Sequence, residues 1–189
     1  MRYILLILLI SASAWAASGD YVAPTASYDQ GDWIKTDSIF ASDNRRATNS
    51  GTNAHKIGGK SFGIAVTDGA TIDSIWVSLE GSSNGTVIQR AYTVQLSKDG
   101  GATGVGDAVL GQWGTTEATA VITGTTNSKW GTTWTEAEIE SANFCVTVQK
   151  NSTSATPIPK IDQILVRVWW TSASGNKKKI VQQSWETGE

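Results

Sequence analysis

Residues 54–61, Ala54-His55-Lys56-Ile57-Gly58-Gly59-Lys60-Ser61, differ from a phosphate-binding loop only by alanine at the first glycine. Such a loop needs a helix behind it, whose free N–H groups cradle the phosphates. Here Phe62-Gly63-Ile64-Ala65-Val66 follows, which reads as a strand, so nucleotide binding is not expected. His55 is the single histidine, which leaves no site built on two imidazoles, and no serine stands in a G-x-S-x-G turn. Its neighbours Asn53, Lys56 and the glycines have loop composition, and an exposed loop histidine is the expectation. Glu80 and Asp162 both fall in strand-like segments and form the one carboxylate pair that invites comparison with glycoside hydrolysis. Asp43, Asn44 and Asp107 offer oxygen ligands. A hard cation takes six to eight oxygens, however, and no dense acidic run is present, so no metal site is expected there.

The nine tryptophans are the strongest compositional signal. Large rigid rings fill sandwich cores and interfaces, and they also stack on ligands. Trp113, Trp130 and Trp134 fall in the Gly/Thr-rich stretch from Gly111 to Trp134, a loop-like setting, and are the candidate ligand-binding residues.

The elements that must position these residues read as short strands. In Ala70 to Glu80, Ile75, Val77 and Leu79 alternate with Ser74, Trp76 and Ser78, so Trp76 is placed on the face opposite the apolar row. Further strands are predicted at Ser61 to Val66, Val87 to Ser97, Ala118 to Thr123, Asn143 to Gln149 and Ile161 to Thr171, with another at Lys179 to Trp185. In the segment ending at Thr171, Ile164, Val166, Val168 and Trp170 share a face. One short helix is predicted at Thr135 to Glu140, with Thr135 as its cap. Short strands separated by Gly, Ser and Asn turns predict an all-β fold, a β-sandwich of jelly-roll or immunoglobulin-like type with about eight strands and one short helix.

The chain opens on Met1-Arg2-Tyr3, an apolar run from Ile4 to Ile10 and the small residues around Ala14 and Ala16, the pattern of a secretory signal peptide cut after Ala16. The apolar run is far shorter than the roughly 20 residues a bilayer span requires, so no stable membrane anchor is expected. Loss of Arg2 leaves 14 basic against 17 acidic residues, a net charge of −3. A mildly acidic chain whose one basic cluster is Lys177-Lys178-Lys179 is not expected to bind nucleic acid. Cys145 is the only cysteine, so no internal disulfide forms, and a small buried residue on a strand is expected.

The order and spacing of several motifs also carry a resemblance. These are Trp33; Ala41-Ser42-Asp43-Asn44 before Ala47-Thr48; Phe62-Gly63-Ile64 before Ala70-Thr71-Ile72; Val94-Gln95-Leu96; Trp130-Gly131-Thr132-Thr133-Trp134-Thr135; Ile139 to Phe144; and Ile161-Asp162-Gln163-Ile164 to Trp169-Trp170-Thr171. Across Asp32 to Thr171 the chain resembles a β-sandwich module of phage virion and tail-fibre-like proteins and of bacterial secreted or surface proteins. That resemblance implies a sandwich with a structural or adhesive use and no catalytic residues.

Together these readings divide the chain into a signal peptide (1–16), an N-terminal arm (17–31), a β-sandwich domain (32–172) and a C-terminal strand or tail (173–189). The expected function is that of a secreted or cell-surface structural or adhesive module, not an enzyme, and without a cofactor. A carbohydrate-binding module using the loop tryptophans and a virion decoration or fibre-associated protein are the alternatives. The expected partners are a glycan or other cell-surface ligand and further copies of the chain, to which the arm would donate a strand.

Overall fold

The computed structural model describes residues 16–85 and 91–173. The signal peptide, the first part of the Val87 to Ser97 strand and the Lys179 to Trp185 strand therefore lie outside the described residues, Ala16 excepted. Eleven strands are present among those described: β1 Ala16–Ser18, β2 Ala26–Asp29, β3 Trp33–Ile34, β4 Ala47–Asn49, β5 Lys56–Lys60, β6 Thr71–Ser83, β7 Ala91–Ser97, β8 Val105–Gln112, β9 Ala118–Ile122, β10 Cys145–Lys150 and β11 Pro159–Thr171. One α-helix, α1, covers Glu136–Glu140.

The strands form two antiparallel sheets. One has the order β3-β4-β11-β6-β9, with β1 also paired to β11; the other has the order β2-β5-β10-β7-β8. Side-chain alternation makes each central strand two-faced. Ile75, Val77 and Leu79 of β6 and Ile164, Val166 and Val168 of β11 point inward from the first sheet. Ile57, Val94, Leu96, Val146 and Val148 answer from the second, and all are buried in one core. The fold is a β-sandwich, as its alternating pattern predicts.

The long pairing of β6 with β11 holds the first sheet together, and two irregularities interrupt it. At the first, Ile161 faces Gly81 and Gln163 faces Glu80, so Asp162 is the extra residue of a bulge. Bulges re-aim a side chain out of the alternation of its strand. The helix is shorter than Thr135 to Glu140 by one residue and carries a full capping box: the Thr135 hydroxyl accepts from the Glu138 N–H, and the Glu138 carboxylate accepts from the Thr135 N–H. Glu140 and Glu136 accept the N–H groups of Val66 and Gly69, each at 2.7 Å. Residues 61–70, which form no strand, are pinned to the sandwich in this way.

Two expectations are corrected. The strand assigned to Ser61–Val66 lies one segment earlier, at Lys56–Lys60, so the near phosphate loop is itself a strand between β2 and β10. Its glycines serve close packing: a Cβ at Gly58 would lie 2.6 Å from the Val146 carbonyl oxygen, and one at Gly59 would lie 2.7 Å from Pro24 Cγ. Residues 17–31, read as an arm, are built into the sandwich. Ala17 and Ser18 pair with Trp170 and Trp169, Val22 bridges Val166, and β2 joins the opposite sheet. The C-terminal half of β11 presents unpaired edge groups, and this chain's own N-terminal segment satisfies them.

Candidate functional site

Trp113, Trp130 and Trp134 are only 6, 0 and 7 % exposed. Trp113 packs on Tyr92 with ring centroids 4.3 Å apart. Trp130 donates its indole N–H to the Ile75 carbonyl at 2.9 Å. Trp134 donates to the Lys129 carbonyl at 3.0 Å and stands edge-on to Phe144. Gly124 and Gly131 of the segment that holds them take positive φ, which permits its tight turns, and the rings close the core beneath it. The three candidate ligand contacts therefore lie in the core, with no ring face turned to solvent.

The outer face of β6 and β11 presents aromatics instead. Trp76 and Trp169 are half-buried and adjacent, with centroids 5.8 Å apart and planes inclined at 52°. The register explains the contact: Trp76 lies opposite Arg167, and Trp169 lies opposite Ser74, one diagonal step away. Arg167 spans the gap to the N-terminal segment. Its guanidinium carbon is 4.4 Å from the Trp169 ring centroid and 5.8 Å from that of Tyr21. Two of its nitrogens donate to the Gly19 carbonyl and the Ser18 hydroxyl, each at 3.1 Å, which fixes the planar group in place. The Trp169 indole N–H has no acceptor among the described residues.

The same face runs along β6 from Trp76 to Glu80, about 13 Å at the rise of an extended strand, and ends in acids. One carboxylate oxygen each from Glu80, Glu117 and Asp162 lies within 4.8 Å of the other two. Asp162, the bulge residue, is 1 % exposed. Its Oδ2 accepts the Asn44 N–H at 3.2 Å, while Oδ1 is buried with no donor among the described residues. Burial above all, with further contributions from Glu117 and Glu80, pushes its pKa upward. Arg46 Nε pairs with Glu117, and its two terminal nitrogens donate to the Asn44 carbonyl and Asn44 Oδ1. The structure thus brings the sequence-singled pair Glu80 and Asp162 together and adds Glu117, which carries no signal beyond being an acid beside the Ala118–Ile122 alternation.

Other singled-out residues are placed elsewhere. Asp43 accepts the Arg45 N–H. Asp107, in the opposite sheet, accepts three hydrogen bonds from Thr125 and Thr126. The Asp43, Asn44 and Asp107 set is therefore not assembled, although Asn44 lines the acid cluster. His55 Nδ1 lies 3.1 Å from the Gly31 carbonyl oxygen and 3.2 Å from Asp32 Oδ2, where it ties two loops together. Cys145 is buried, as expected, and burial pushes its thiol up to about 12. No helix among the described residues is long and apolar enough to cross a membrane.

No family model and no curated protein sequence matches the chain. A solved structure described as "CBM4 structure and function" is similar over 80 % of this chain and 94 % of its own length, at 10 % identity and a TM-score of 0.42.

Proposed function

We propose that the chain is a non-catalytic, exported module that binds carbohydrate on the outer face of β6 and β11 and acts as an adhesive surface domain through that contact. The observation that carries this reading is the partly exposed Trp76–Trp169 pair with Arg167 clamped beside it. Outward positions of an antiparallel sheet are normally polar, because only the inner face joins the core. Two indoles at neighbouring outward positions leave apolar surface that the core does not use. A sugar ring matches it: its C–H faces pack on the electron-rich ring faces, and its hydroxyls find polar groups at the rim.

The acid cluster supports a binder over a hydrolase. Glycoside hydrolysis sets two carboxyl groups about 5–5.5 or 6.5–9.5 Å apart with the scissile bond between them. Here three carboxylates converge on one point, and Asp162 is closed to solvent. Titration of the purified protein with soluble plant, fungal and bacterial polysaccharides, followed by tryptophan fluorescence, tests the reading. A saturable spectral change that weakens about tenfold in Trp76→Ala is expected, the usual scale for loss of an anchoring aromatic. Equal affinity of the variant and the parent overturns it.

A further inference from the structure

We propose that Glu80, Glu117 and Asp162 hold a divalent cation of the calcium class at the acidic end of the outer face. Acidic residues gather on many surfaces without an ion, so the inference rests on Asp162. That side chain is almost wholly buried, one of its oxygens takes the Asn44 N–H, and the other has no donor among the described residues. A buried carboxylate oxygen left without a partner is costly, and this side chain belongs to a cluster with two more carboxylates. A cation between them satisfies all three carboxylates at once.

The spacing suits one ion. Calcium takes oxygens at about 2.3–2.6 Å, so ligands on opposite sides of it stand about 5 Å apart. The oxygens of all three residues fall within 4.8 Å of one another. The charge suits it as well: three carboxylates face a single guanidinium, Arg46, which leaves two negative charges. Arg46 does not occupy the place itself, because its nitrogens are directed to Glu117 and Asn44. Oxygen-only donors select a hard cation over zinc or copper, and the chain's one histidine and one cysteine are engaged elsewhere. Glu80 and Glu117 are partly exposed, so water completes the shell that calcium requires, six to eight ligands in all.

The bulge gives the site its origin in the chain. An uninterrupted ladder would keep residue 162 in strict alternation; the extra residue turns its carboxylate towards Glu80 and Glu117. The site is independent of the aromatic face, and glycan binding can fail while it stands.

The test uses the full-length protein stripped with a chelator and titrated with calcium chloride, with magnesium chloride and sodium chloride as comparisons, by calorimetry and thermal melting. One calcium per chain is expected, with the melting temperature raised by about 5–10 °C at a hundredfold excess over Kd. Glu80→Gln and Glu117→Gln should each weaken calcium binding at least tenfold, and Asp162→Asn should abolish it. Should Asp162→Asn fail to fold, the two partly exposed glutamates carry the test. Absence of binding at about 10 mM calcium, beyond the range of weak extracellular sites, or unchanged binding in both glutamine variants overturns the proposal.

Discussion

Tryptophan is used in two opposite ways in this sandwich. Trp130, Trp134 and Trp113 close the core beneath a glycine-rich loop, and the first two pass their indole N–H groups to backbone carbonyls. Trp76 and Trp169 stand on the other side of the first sheet, half open, one stacked with arginine. Residue type therefore does not decide role. Local composition misleads as well, since the rings of the glycine-rich loop are inside, while β11 carries one ring outward, Trp169, and the next inward, Trp170. For the rings borne on strands, what decides is the side of the ladder on which each residue falls.

Substitutions can break or sharpen this contrast. Trp130→Ala should cost about 3–5 kcal/mol of stability, the range for truncating a buried aromatic, because it opens a cavity and strips the Ile75 carbonyl of its donor. Chemical denaturation checks it, and a loss under about 1 kcal/mol would move Trp130 to the outer class. Gly58→Ala should cost about 1–3 kcal/mol, since its Cβ would meet the Val146 carbonyl oxygen and Cys145 Sγ, at 2.6 and 2.9 Å. Trp76→Ala, by contrast, should change stability by about 1 kcal/mol or less while weakening glycan binding about tenfold. The thiol of Cys145 separates apparent from real exposure: it lies in a strand with its pKa raised to about 12 by burial, so it should resist alkylation at pH 8 until the protein unfolds.

The smallest effect belongs to Asp99. Chiefly its hydrogen bond to the Ser97 hydroxyl, and also those from Thr103, lower its pKa from 3.8 to about 2. A carboxylate lowered in the folded state adds stability above its ordinary pKa and loses it as pH falls through the folded value. The melting-temperature difference between the parent and Asp99→Asn should therefore be present at pH 6 and shrink between about pH 4 and pH 2.

Much of the fold is legible in the amino-acid order. Alternation places Ile75, Val77 and Leu79 inward and Trp76 outward, and the row Ile164, Val166, Val168 and Trp170 fixes the inner face of β11. The shortest strands, such as the two-residue β3, are not legible, because so few residues carry no period. β8 is hidden by its glycines and by an outer face that includes exposed Leu110. The candidate sites are half legible. Trp76 and Trp169 follow from alternation, yet their adjacency depends on the register between strands far apart in sequence. Glu80 and Asp162 show as strand acids, whereas the bulge that turns Asp162 towards Glu80 and Glu117 is a property of the pairing and leaves no local signature.

The central claim is that the outward indoles bind and the inward ones only pack. Glycan titration of the Trp76→Ala/Trp169→Ala double variant beside the parent, with melting curves on the same samples, tests it most directly. The account predicts that binding is lost while the melting temperature falls by only a few degrees. A double variant that binds as the parent does, or a parent that binds none of the polysaccharides, would contradict it.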